Sequence, residues 1–154
     1  MNTSAHIAKN LREVYLSGNW TASNLKSQLK DVNWKEATTQ YSNLNSIATL
    51  VHHMTYYVTA VAAVLKGGVL NAKDELSFDH PPIENETDWQ AFLTNIFNEV
   101  EGFADLVEQL PESKLWETFE DDKYGNYYRN LQGIVEHCHY HLGQIAIIKK
   151  LLKE

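Results

Sequence analysis

Cysteine, proline, glycine and positive charge are all scarce in this chain of 154 residues. The single cysteine excludes an internal disulfide. Lysine and arginine total 13 against 20 aspartates and glutamates, which gives a net charge of -7. Nucleic-acid-binding proteins instead present a basic surface, so we expect no nucleic-acid partner.

Long hydrophobic runs are also missing from the sequence. No apolar stretch approaches the about 20 residues that a membrane span requires, so we expect no membrane partner. The first residues lack the basic start and apolar run of a signal peptide. We therefore expect a cytoplasmic protein, and the length predicts one domain over residues 1–154.

The seven glycines and three prolines leave long intervals without a helix breaker. In these intervals apolar residues recur at spacings of three and four, which is the helical period. The pattern predicts an all-α fold, an antiparallel four-helix bundle with a short extra helix between the first two long helices. The long helices are predicted at about 4–16, 46–66, 87–107 and 128–152, and the short helix between an N-cap at Thr21 and about Asp31. Residues 69–85 and 112–127 are predicted as irregular connections.

The last predicted helix carries two histidines at metal-binding spacing. His137 and His141 are four residues apart, so both lie on one helix face about 6 Å apart along the axis and could share an ion. His139 points about 200° away from His137 and is expected at the surface. Catalytic metal sites usually have three protein ligands, and His52 or His53 in the second long helix could supply the third. His53 is preferred because it lies on the apolar stripe of that helix.

Other interpretations of these residues remain open. The histidines could be a hydrogen-bonded pair in the core, because a buried imidazole without a partner is unfavourable. Cys138 could be a ligand or a nucleophile, but its register matches the buried face and predicts a small core residue. Gln144 could orient a ligand from the same face or be an ordinary polar residue. Residues 79–82, "DHPP", could form a lid over the site or a plain surface loop.

Three segments together resemble the DinB-like superfamily, which comprises four-helix bundles of DNA-damage-inducible proteins and bacillithiol- or mycothiol-dependent enzymes. They are "GIVEHCHYHLGQI" in the last helix, "NSIATLVHHMTYYVTAVAAVLKGG" in the second long helix, and "GNWTASNLKSQLKDVNWKEAT" between the first two. The resemblance covers nearly the whole chain and is to a branch of small members. It implies a metal triad of His53, His137 and His141, with zinc or nickel as the divalent ion. It also implies a homodimer.

The expected function is a metal-dependent enzyme with a three-histidine site. The expected reaction is thiol (S-)transfer or hydrolysis on a small-molecule substrate, with a low-molecular-weight thiol as a candidate partner, in a stress or detoxification response. No general base is evident in the sequence, so the catalytic residues are left unknown. The alternative is a non-catalytic bundle that binds a metal or ligand, or a dimeric interaction protein.

Overall fold

The computed structural model describes residues 2–153 and is built from helices. Six α-helices are present in the described residues: α1 Thr3–Tyr15, α2 Leu25–Leu29, α3 Trp34–Thr38, α4 Ile47–Leu65, α5 Glu86–Glu108 and α6 Tyr127–Leu151. Three 3-10 turns lie between them, at Asp74–Phe78, Glu112–Trp116 and Asp122–Tyr124. Within residues 2–153 the only extended pairing is an isolated bridge between Thr118 and Asn126.

Side-chain caps fix where the helices begin. Five of the six α-helices start after an asparagine whose side chain accepts a hydrogen bond from the first turn, and Ser46 caps α4 in the same way; the asparagines are Asn2, Asn24, Asn33, Asn85 and Asn126. The predicted cap at Thr21 is wrong, because Asn24 takes that role. The five-residue helix α3 was not predicted, since one turn is too short to show a helical period.

The four long helices α1, α4, α5 and α6 surround one hydrophobic core, with α1 and α4 each packed against both α5 and α6. This confirms the predicted helical bundle. The beginning of α1 lies against the end of α5, where the Ser4 hydroxyl donates to the Leu110 carbonyl at 2.9 Å. The antiparallel course of all neighbours and the DinB-like type remain predictions. For the site, the relevant pair is α4 and α6, because both contribute histidines.

Helix α4 is more apolar than the sequence analysis allowed. Its 19 residues are long and apolar enough, by length and composition, to cross a membrane, with a mean hydropathy of 1.3 over 18 residues. Of that window, 56% is buried inside the bundle. A helix that is apolar on most sides is the ordinary central element of a helical core. Its location makes His53 one of the few polar side chains in the interior.

Trp89 of α5 is hydrogen-bonded to the connection between α2 and α3, and this contact can be tested. Its side chain is 0% exposed, and its indole Nε1 donates to the Val32 carbonyl at 2.9 Å. Replacing Trp89 by Phe leaves that buried carbonyl without its donor, so we expect a loss of about 1–3 kcal/mol in the free energy of unfolding. Urea unfolding measures the change. Trp20→Phe is the control, because Trp20 is 100% exposed and should leave the midpoint unchanged; equal midpoints for both variants would contradict the assignment.

Candidate metal centre

The three predicted histidines meet between α4 and α6. His137 Nε2 lies 3.0 Å from His53 Nε2 and 3.0 Å from His141 Nε2. The ring nitrogens available as ligands all lie within 4.8 Å of one another. His53 and His141 are buried and His137 is half-buried, so one edge of the cluster faces an opening. Three histidines from two helices are therefore close enough to bind one metal ion.

The choice between the two adjacent histidines of α4 follows from their positions on the helix. His53 is 5% exposed and faces α6, whereas His52 is half-buried and lines a separate cavity beside Glu99 on α5. Thr55, two residues after His53, is also buried. The structure thus brings His53, and not His52, to His137.

The second nitrogen of His53 is fixed by a residue that the sequence analysis did not identify. Ser77 lies in the 3-10 turn Asp74–Phe78, and its hydroxyl donates to the Asp74 carbonyl at 2.6 Å. The hydroxyl oxygen therefore accepts from His53 Nδ1, at 2.7 Å. With its proton on Nδ1, His53 presents an unprotonated Nε2 to the cluster.

Gln144 fixes His141 in the same way. The Gln144 Oε1 is 2.6 Å from His141 Nδ1, and a carbonyl oxygen only accepts, so Nδ1 carries the proton. His141 Nε2 is then a second free lone pair directed at His137. The orienting role weighed for Gln144 matches this contact. Such outer partners set both the tautomer and the direction of a ligating imidazole.

The arrangement fits a divalent cation. Two imidazole nitrogens bound to one tetrahedral ion at about 2.0–2.1 Å are separated by about 3.3–3.4 Å. The two separations of 3.0 Å from His137 Nε2 are slightly shorter than that spacing, and all three ligand nitrogens lie within 4.8 Å of one another. One proton on His137 Nε2 can satisfy only one of its two neighbours, whereas a cation satisfies all three lone pairs. The donor set of three neutral imidazoles suits zinc, copper, iron or nickel.

Aromatic rings hold the imidazoles from the outside. Phe78 stacks on His53 with ring centroids 4.1 Å apart, and Tyr57 meets both His53 and His137 edge-on at 5.5 and 5.4 Å. Tyr140 lies 4.9 Å from the ring of His141. These contacts restrict rotation of the rings and so preserve the direction of their lone pairs.

Burial keeps the imidazoles neutral. The pKa of His137 is lowered to about 4, first by burial and then by repulsion from His141 and His53. Burial also lowers the pKa values of His53 and His141. All three are therefore unprotonated at neutral pH, which is the form that binds a metal.

An open cavity of about 520 Å³ adjoins His53 and His137. Its remaining lining is mixed and includes two cationic side chains, one carboxylate and two apolar side chains; the residues are Tyr57, Val61, Asp74, Lys123, Tyr124, Arg129, Asn130, Gly133 and Ile134. The Asp74 carboxylate accepts a hydrogen bond from the Tyr57 hydroxyl at the edge of this cavity. Nothing in the sequence pattern places Asp74 at the site, because it lies 21 positions from His53 in a segment without periodicity.

Two neighbouring residues of α6 take no part in the cluster. Cys138 is fully buried, and its thiol donates to the Tyr15 hydroxyl at 3.2 Å. Burial raises the thiol pKa to about 12, which agrees with a core residue and not with a nucleophile. His139 is half-buried and lines a separate groove with Trp20, away from the other histidines.

The lid considered for residues 79–82 does not cover the site. His80 instead bonds the Pro81 carbonyl through Nδ1 at 2.7 Å and faces Phe92 of α5. The segment that covers His53 is the preceding turn, Asp74–Phe78, through Ser77 and Phe78. The segment that covers the site therefore lies a few residues earlier in the chain than the one considered from the sequence.

Comparison with known proteins finds no matching family model, no matching characterised protein and no matching solved structure. The DinB-like resemblance therefore rests on the sequence motifs and stays a prediction. The geometry of the histidine cluster stands independently of it.

The lowered pKa values predict how the metal-free protein responds to acid. Unfolded imidazoles protonate near pH 6.5, whereas His137 in the fold does so only near pH 4. Between these values the unfolded state binds more protons, so the free energy of unfolding falls as the pH falls. In the His137→Gln variant the free energy of unfolding should decrease by roughly 1–3 kcal/mol less over this pH range than in the unaltered protein. Urea unfolding of chelator-treated protein from about pH 7 to 4 measures it, and identical pH profiles would refute the assignment.

Proposed function

We propose that this protein binds one divalent cation through Nε2 of His53, His137 and His141 and uses it to act on a small molecule in the adjoining cavity. The observation that carries the proposal is the convergence of the three Nε2 atoms, with Ser77 and Gln144 holding the Nδ1 protons of His53 and His141 on the far side. A core histidine pair needs only one hydrogen bond, and it would not need a third imidazole.

Zinc or nickel is the proposed ion, because imidazole ligands suit both and the resemblance to the DinB-like superfamily implies these two. With a coordination position left free, such an ion lowers the pKa of a bound water or thiol. The protein's own residues supply the rest. The aromatic rings of Phe78 and Tyr140 fix the imidazoles, and the cavity beside His53 and His137 admits a substrate.

The Asp74 carboxylate and the Tyr57 hydroxyl are the proposed proton-handling groups. They are hydrogen-bonded to each other and both line the cavity next to the histidines. Burial, followed by the bond to Asp74, raises the pKa of Tyr57, so the phenol stays protonated at neutral pH. The carboxylate can then accept a proton from a substrate that displaces the phenol.

The proposed reaction class is thiol (S-)transfer or hydrolysis, with transfer favoured by the DinB-like motifs. In this proposal the fold is the antiparallel DinB-like bundle, supported by the contact between the start of α1 and the end of α5. The bundle supplies a rigid frame for a site whose ligands come from facing helices.

Metal binding is tested by single His→Gln substitutions, which keep a side chain of similar size. Substituting His53, His137 or His141 should lower metal affinity by more than the about 10–100-fold that loss of an outer hydrogen-bond partner costs. Affinity is measured by competition with a coloured chelator, and stoichiometry by elemental analysis.

The matched controls are His52→Gln and His139→Gln, which alter the histidines nearest in sequence to the ligands. Both should bind metal as the unaltered protein does, because neither ring reaches the cluster. If the controls and the ligand variants lose metal equally, or if none loses it, the ligand assignment is wrong.

Activity is tested with low-molecular-weight thiols and monochlorobimane as the electrophile. In the reaction the thiol sulfur bonds to the carbon that carries chlorine, the carbon–chlorine bond breaks, chloride leaves and the thiol proton passes to a base. We expect the fluorescent product to form faster with zinc- or nickel-loaded protein than with chelator-treated protein or His137→Gln. Asp74→Asn should lower the rate about 10²–10⁴-fold while leaving the bound metal in place.

The same measurements distinguish the proposed enzyme from the alternative function. Metal bound at one equivalent with no metal-dependent turnover, over a broad panel of thiols and hydrolysable esters, would favour a non-catalytic metal-binding bundle. The cavity beside the histidines favours the enzyme, because a purely structural metal site is closed by four protein ligands.

A further inference from the structure

The cavity beside the histidines is lined by residues of different chemical character. Its lining includes His53 and His137. It also includes the apolar side chains of Val61 and Ile134. The remaining lining includes two cations, Lys123 and Arg129. The chain carries 13 lysines and arginines against 20 aspartates and glutamates, and two of these cations line the cavity next to the histidines.

Arg129 is placed along the same face of α6 as the metal ligands. Arg129, Gly133 and His137 follow one another at spacings of four, so they lie in one row along the helix. The guanidinium lies over Gly133: a Cβ at that position would be 3.2 Å from Arg129 Nη1. The missing side chain at Gly133 therefore leaves room for the cation to lie against the helix.

Arg129 keeps donors free for a ligand. It makes one ion pair, from Nη1 to Glu136 at 3.1 Å, and Glu136 does not line the cavity. A guanidinium has five N–H donors, so this bond leaves most of them unused. Both partners of the pair are more than half exposed, and exchange of one carboxylate for another there costs little.

Lys123 faces the same space from the turn before α6. Its ammonium lies 4.7 Å from the centre of the Tyr124 ring, and both residues line the cavity. Asn130 holds this turn against α6 by donating to the Tyr124 carbonyl at 2.8 Å. The cation is thus part of an anchored segment.

The acidic residues that precede Lys123 lie outside the cavity lining. Each of the three accepts a hydrogen bond: Glu120 from Leu70 N, Asp121 from Lys123 N and Asp122 from Thr118 Oγ1. Among the described lining residues only Asp74 carries a carboxylate, and it is bonded to Tyr57 at the histidine end.

We propose that the cavity is selective for small molecules that carry an anionic group, a carboxylate above all, which Lys123 and Arg129 bind while the other end of the molecule reaches the histidine cluster past Val61 and Ile134. The role of the other end rests on the proposed metal site. The anion preference is a separate property of Lys123 and Arg129. A guanidinium and an ammonium together supply the charge and the paired donors that a carboxylate requires.

The test uses cobalt(II)-loaded protein and three thiols that differ only at the tail. These probes are 3-mercaptopropionate, 2-mercaptoethanol and cysteamine, with anionic, neutral and cationic tails. Binding is followed by the thiolate-to-cobalt charge-transfer absorbance. For each thiol the Kd of a variant is divided by the Kd of the unaltered protein, which removes differences in thiol acidity.

The double variant Lys123→Gln/Arg129→Gln should weaken 3-mercaptopropionate by about tenfold, because bonds to a charged partner are lost. It should leave 2-mercaptoethanol unchanged and should not weaken cysteamine. Glu136→Gln should strengthen 3-mercaptopropionate by releasing Arg129 from its internal partner. Lys150→Gln is the control, since it removes one positive charge from the exposed end of α6 outside the cavity.

The outcomes separate the two proposals. Equal Kd ratios for the three thiols in the double variant would overturn the anion preference. An equally large loss of 3-mercaptopropionate affinity in Lys150→Gln would overturn it as well. In both cases the cobalt spectrum would still support the metal site. Absence of a cobalt spectrum in the unaltered protein would overturn the metal site and this inference with it.

Discussion

Three imidazole lone pairs directed at one point are the constraint on which the rest of this structure depends. His53 and His141 both carry their protons on Nδ1, because Ser77 and Gln144 leave no other tautomer that satisfies the hydrogen bonds. Their Nε2 atoms then face His137, which can donate only one proton to the two. Unpaired lone pairs in a largely buried site are unfavourable, and a cation between them removes the conflict.

The location of the site within the bundle follows from this constraint. A metal centre needs ligands from separate chain segments held at fixed directions, and α4 and α6 pack against each other at His53 and His137. Helix α4 brings its histidine from an apolar interior, which lowers the imidazole pKa and keeps the ligand neutral. The same burial raises the pKa of the Cys138 thiol, next to His137 in sequence. One physical effect thus keeps the imidazoles neutral and the thiol unreactive.

Much of the fold and the three histidines could be predicted from sequence, and the reason is periodicity. His137 and His141 share a face because they are four apart, and His53 lies on the buried stripe of a long amphipathic helix. The supporting residues could not be predicted this way. Ser77 lies 24 positions from its partner His53 in a segment read as a loop, and the short helix α3 is a single turn. The cavity positions of Arg129 and Lys123 could not be predicted from the sequence either. A cation at a helix start or in a turn is typical of an ordinary surface, and only the fold shows that these two line one cavity.

The 3-10 turn Asp74–Phe78 connects the histidine cluster to the adjoining cavity. Within five residues it supplies the Ser77 oxygen that orients His53, the Phe78 ring that stacks on it, and the Asp74 carboxylate that bonds Tyr57 at the cavity edge. The turn is held to α4 by its flanking backbone as well, since Lys73 N donates to the Tyr56 hydroxyl at 2.8 Å. A displacement of this turn would therefore release the His53 tautomer and the candidate base together. In the proposed function, ligand geometry and proton transfer would be coupled through this one short segment, because Ser77 and Asp74 both belong to it.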